Sequence, residues 1–132
     1  MERKYKGSFT IETALLMPVI ALVFVVSVWG SFYYHDKNIL SSCAYEIAVV
    51  GSTKVREKEA VTEAMLNMEL AERLNKKCIL FTKVNTSVHI GTNEVIAEAE
   101  ASRRNMRIAV RHTAAVTEPE SYIRKVRKIS KG

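Results

Sequence analysis

Between Thr13 and Tyr34 the sequence carries no charged residue. Wound as α-helix at ~1.5 Å per residue, these ~22 positions reach about 33 Å, enough for a hydrocarbon core ~30 Å thick. In a chain of 132 residues that leaves room for one small domain beside the run. The remainder is rich in Glu, Lys and Arg, so a mean hydropathy near zero averages two unlike halves. The formal charge of +6 is too modest to indicate nucleic acid by itself.

The run reads as a retained span rather than a cleaved secretory signal. A signal needs only ~7–15 apolar residues, and no A-x-A site closes this one. "LSSC", Leu40 to Cys43, has the shape of a lipoprotein cleavage box, but His35, Asp36, Lys37 and Asn38 separate it from the apolar run. Arg3, Lys4 and Lys6 precede the span, whereas Lys37 follows it beside Asp36. The positive-inside rule therefore predicts a cytoplasmic N-terminus and residues 35–132 outside the membrane.

Beyond the span, Ile39, Leu40, Cys43, Ala44, Ile47 and Ala48 form one helical stripe. Gly51-Ser52 reads as a break. A second helix is expected from about Thr53 to Lys77, with Val61, Ala64, Met65, Met68, Ala71 and Leu74 facing a core. Core packing of those methionines is preferred over a soft partner-binding surface. The period then becomes two. Leu80, Thr82, Val84, Thr86, Val88 and Ile90 alternate in the first of three strands, with turns at "GTN" and "SRRN". "EVIAEAEA" joins them as a strand by strict alternation, and "MRIAVRHTAAV" completes an antiparallel meander.

Pro119 opens a last helix. Its stripe of Tyr122, Ile123, Val126 and Ile129 is flanked by Arg124, Lys125, Arg127 and Lys128. These cations are candidate contacts for anionic lipid, wall polymer or DNA. Docking of the stripe on the domain, with a solvated basic face, is the preferred reading. No nucleophile motif, phosphate loop or metal-ligand spacing is present, and His35, His89 and His112 are scattered. No catalytic residue, cofactor or metal is therefore expected. Cys43 and Cys78 fall outside the membrane in this topology, where a disulfide is permitted. Buried thiols are the slightly favoured alternative.

One carboxylate, Glu12, stands at the front of the run. It costs less there than at the bilayer centre, where a charge costs about 2.5–3.5 kcal/mol on insertion scales. The surrounding "KGSFTIETALLMPV" resembles the N-terminus of prepilin-like proteins, and most closely the TadE-like family of tight-adherence, type IVc-like pilus systems. The matching positions are Gly7, Ser8 and Glu12. "CAYEIAVVGS" and "EPESYIRKVR" are also similar to TadE-like proteins, more loosely.

The resemblance implies a leader, residues 1–7, that a prepilin peptidase removes between Gly7 and Ser8 while the helix is kept. It further implies that Glu12 pairs with the Ser8 amine of a neighbouring subunit. The implied partners are other pilin subunits, the peptidase, membrane lipid, and an assembly platform with its cytoplasmic ATPase; nucleic acid is not among them.

The expected fold is α+β. It comprises a membrane and assembly helix over 8–34, then an extracytoplasmic domain over 35–132 with helical continuation, second helix, three-stranded antiparallel sheet and terminal helix. The expected function is a non-enzymatic minor pilin or pseudopilin. The alternative is a single-span membrane protein whose basic outer domain binds an anionic polymer or DNA.

Overall fold

The computed structural model describes residues 3–57, 60–117 and 119–130, with side chains from residue 10 onward except at 119, 121 and 122. The elements are α1 (Arg3–Arg56), α2 (Glu63–Leu74), β1 (Lys83–Ile90), β2 (Glu94–Arg103), β3 (Met106–Ala115) and α3 (Pro119–Ser130). This is the expected α+β order. The chain divides into two compact units, Met1–Tyr34 and His35–Gly132.

In the first unit the apolar side chains are exposed from Ile11 to Phe32, as is Tyr34, while Tyr33 is half-buried. By length and composition this is the one helix among the described residues able to cross a membrane. Its polar side chains are satisfied locally. Ser27 Oγ donates to the Val23 carbonyl at 2.7 Å, and Ser31 Oγ to the Ser27 carbonyl at 2.9 Å, so neither hydroxyl needs water. Pro18 lies within the helix. A missing N–H there is tolerated in lipid where neighbouring groups compensate. Trp29, Tyr33 and Tyr34 cluster at the far end of the run, residue types that favour membrane–water interfaces.

The second unit is built around the other half of α1. Leu40, Cys43, Ala44, Ile47 and Ala48 are buried, as their spacing predicts. Against them pack Leu66, Leu70 and Leu74 of α2 and one face of the sheet: Val88, Val95, Ala97, Ala99, Ala101 and Ile108. The alanines of β2 let the sheet come close to the helices. The sheet is an antiparallel meander of order β1-β2-β3. Its registers pair Val88 with Ala97 and Ala99 with Val110. The two-residue turn Arg104-Asn105 joins β2 to β3, with Arg104 in the left-handed region at φ 51°.

Three expectations are corrected here. Gly51 does not break the helix; α1 runs on to Arg56. A Cβ at Gly51 would meet Leu66 Cδ1 at 2.9 Å and Val95 Cγ1 at 3.0 Å, so glycine is there for close approach rather than for a turn. The second helix is Glu63–Leu74, shorter than the expected 53–77. Its buried face is Leu66, Leu70 and Leu74, whereas Met65 and Met68 are 57% and 69% exposed. The leucine row, repeating every four residues, won the core because its side chains meet α1 and the sheet. Finally, β1 begins only at Lys83. Leu80 and Phe81 are both buried, which strict alternation forbids, because Ile79–Phe81 are held by another device described below.

Candidate functional site

The N-terminal motif lies on the first turns of α1. Gly7 and Ser8 are helical, and their side chains fall outside the described residues. Glu12 is exposed beside Ile11, Leu15 and Leu16, themselves 73%, 75% and 56% exposed. Helical geometry puts Ser8 and Glu12, four residues apart, on one face with ~6 Å of rise between them. The helix thus presents a carboxylate on a surface otherwise fit for lipid or another apolar helix.

At the other end of the apolar run sits a carboxylate that charge counting undervalues. Asp36 is fully buried. Its Oδ1 accepts the Ile79 N–H at 2.8 Å, and its Oδ2 accepts those of Leu80 and Phe81 at 2.7 and 3.0 Å. His35 Nδ1 lies 3.1 Å from Oδ1. Burial pushes the Asp36 carboxyl upward, but the three backbone donors and the His35 contact together outweigh it and hold the group below its ordinary value. The carboxylate pins the segment entering β1 to α1. Its signal in the sequence is positional: Asp36 precedes Leu40, Cys43 and Ile47 by four, seven and eleven residues, on the buried face.

Farther along the same unit, Arg73 ties α2 to α1 by donating to Glu46 at 2.7 Å, and within α2 it donates to Glu69 at 2.8 Å. Half-buried His112 meets Ser41 Oγ through Nε2 at 2.8 Å and stands edge-on to Tyr45. His89 is exposed. Cys43 is a buried thiol and Cys78 a half-buried one. Burial, then the charge of Asp36, then Cys43 push the Cys78 thiol up, away from the reactive thiolate.

The basic residues of α3, Arg124, Lys125, Arg127 and Lys128, are all exposed. So is the stripe expected to dock on the domain: Ile123, Val126 and Ile129 are 52%, 47% and 81% exposed. The Tyr122 side chain lies outside the described residues. Periodicity made the stripe legible but not its partner.

An exposed apolar helix joined to a small α+β unit defines a class of chain fitted for a membrane anchor. Comparison with known families adds one likeness. Residues 7–49, about a third of the chain, match the family described as TadE-like protein. The matched stretch runs from Gly7 through Glu12 and the apolar run to the buried stripe of α1. No curated protein and no solved structure gives a match. Over that third the chain is similar to TadE-like proteins.

Proposed function

We propose that the chain is a minor pilin or pseudopilin of a tight-adherence pilus, a structural subunit or assembly factor rather than an enzyme. The observation that carries this is the TadE-like match over residues 7–49, which contains Gly7, Ser8 and Glu12 in register with an exposed apolar helix. In this reading a prepilin peptidase cuts between Gly7 and Ser8 at the cytoplasmic face. Residues 35–132 stand outside, in accord with the basic leader. The new Ser8 amine of one subunit then meets Glu12 of the next. Neither charge is stable alone in apolar surroundings, so register is set where they pair. Other pilin subunits, the assembly platform and its ATPase are the partners.

The experiment is intact-mass analysis of the protein from its native host, followed by recovery of variants in sheared fibres. Loss of residues 1–7 is expected. Glu12→Val should still insert and be cut, yet fall at least about tenfold in fibres, equivalent to ~1.4 kcal/mol. An N-terminus at Met1 with active peptidase present, or wild-type recovery of Glu12→Val, overturns the reading.

The exposed cations of α3 favour a second reading, a single-span protein binding an anionic polymer. Polymer binding lost with Arg127→Gln and Lys128→Gln, by a protein absent from fibres, would select it.

A further inference from the structure

Outside the apolar run of α1, two helices among the described residues carry exposed apolar faces. On α2, Ala64, Met65, Met68 and Ala71 face solvent, with Met65 and Met68 more than half exposed. On α3, Ile123, Val126 and Ile129 do the same. Such faces on amphipathic helices mark interaction surfaces, and methionine adapts its shape to a partner.

We infer that α3 of one copy packs on the Met65–Met68 face of α2 in a second copy. Both helices are 12 residues long. Both faces are rows spaced by three, Met65-Met68-Ala71 and Ile123-Val126-Ile129, ridges that can pack three-on-three at a steep crossing angle. Their charges are opposite. α2 carries Glu63, Glu69 and Glu72 against Arg73; α3 carries Arg124, Lys125, Arg127 and Lys128 against Glu120. At 100° per residue Glu72 falls between Met65 and Met68, and Glu69 on the edge beyond Met65. Lys125 and Arg127 border the α3 stripe on its two sides, within reach of those acids.

A lipid surface would cover α3 and leave the methionine face bare; a second copy covers both. The tether disfavours the chain's own α2. Val116 N–H is bound to the Asn93 carbonyl at 2.8 Å, so only Thr117 and Glu118 precede Pro119. α3 therefore departs from β3, while α2 packs beside β1, two strands and ~9.6 Å away. The two faces differ, so the contact is heterologous and repeats from copy to copy along an open array. This deepens the proposed fibre role and rests on it for the setting.

The test uses the full chain in native membranes, with a photoreactive benzoylphenylalanine at Met68. Irradiation should give dimers and higher multimers whose crosslinks map to residues 119–130. Val126→Asp, at an exposed position, should cut the yield about tenfold while leaving thermal unfolding unchanged. Glu72→Lys should weaken it, and Arg127→Glu in the same chain should restore it. Crosslinks confined within one chain, multimers insensitive to Val126→Asp, or no α3 crosslink while the protein binds phosphatidylglycerol vesicles through α3 would each overturn the inference. Fibres that form without the crosslink count against this contact alone. The crosslink in membranes without fibres counts against the fibre reading alone.

Discussion

α1 changes character between Tyr34 and Asp36. Before that point its described apolar side chains, Tyr33 apart, are exposed, and Ser27 and Ser31 bond to their own helix. After it, one stripe is buried, and a carboxylate lies fully enclosed among backbone donors. One secondary structure thus joins an apolar half, long enough to cross a membrane, to a half that builds a core. In the first half Glu12 lies exposed among apolar side chains that are exposed as well. In the second half every buried group needs an internal partner, and Asp36 finds its partners in the N–H groups of Ile79–Phe81.

The two carboxylates give the sharpest way to break this comparison, and the largest expected effect. Asp36→Ala takes the carboxylate acceptor from two buried N–H groups, those of Leu80 and Phe81, each costing about 1–3 kcal/mol, and from the part-buried N–H of Ile79. It should therefore destabilise the second unit by at least about 2 kcal/mol, read as a fall in Tm of the full chain in detergent. Asp36→Asn keeps an acceptor oxygen and should lose about half as much. Because the Asp36 carboxyl is depressed in the folded state, its stabilisation is complete above the ordinary carboxylate value. It is lost as pH falls through the lower folded value. The acid limb of stability against pH should accordingly flatten in Asp36→Asn. Glu12→Val should leave both Tm and that limb unchanged, since Glu12 is exposed. Equal loss of stability in the two variants would end the distinction.

Two glycines of α1, Gly51 and Gly30, test the same contrast at smaller scale. Gly51→Ala drives a methyl into Leu66 and Val95, an overpacking that costs about 1–3 kcal/mol and is eased by the better helix propensity of alanine. A net loss of about 1–2 kcal/mol is expected in thermal unfolding, and Leu66→Val should restore part of it. Gly30 has nothing within 4 Å of an added Cβ, so Gly30→Ala should leave the second unit's stability unchanged. If both substitutions proved neutral, the close approach at Gly51 would not be governing the packing.

These residues also show why the sequence was legible in some places and not in others. The apolar run could be read because composition alone decides it. The sheet could be read because Val95, Ala97, Ala99 and Ala101 alternate with residues of another kind. α2 offered two rows at helical spacing, one of methionines and one of leucines; only contact with α1 and the sheet decides between them. Gly51 punctuates as a break until a neighbouring helix is seen to need its missing side chain. Asp36 was counted as a flanking charge because its three acceptor bonds span more than forty residues of sequence. The Gly7-Ser8-Glu12 motif was legible by resemblance, whereas the pairing proposed for it joins two chains and is not written in the spacing of one.

The smallest expected effect concerns a position where local conformation opposes the residue present. α2 ends at Leu74, Asn75 caps it by donating to the Ala71 and Glu72 carbonyls, and Lys76 follows at φ 63°. This left-handed residue after a C-cap is where glycine is usual. A side chain there costs roughly 1 kcal/mol, of which the greater freedom of glycine in the unfolded chain takes back part. Lys76→Gly should therefore stabilise the second unit by about 0.5 kcal/mol, seen as a small upward shift of the urea midpoint without a change in slope. Unlike the substitutions above, it touches neither the carboxylate clamp nor the helix contact at Gly51. A loss of stability would mean that the Lys76 side chain holds something its backbone strain conceals. In that case the groove beside it, lined by Met68, Ala71, Cys78 and Phe81, would depend on that lysine for its shape.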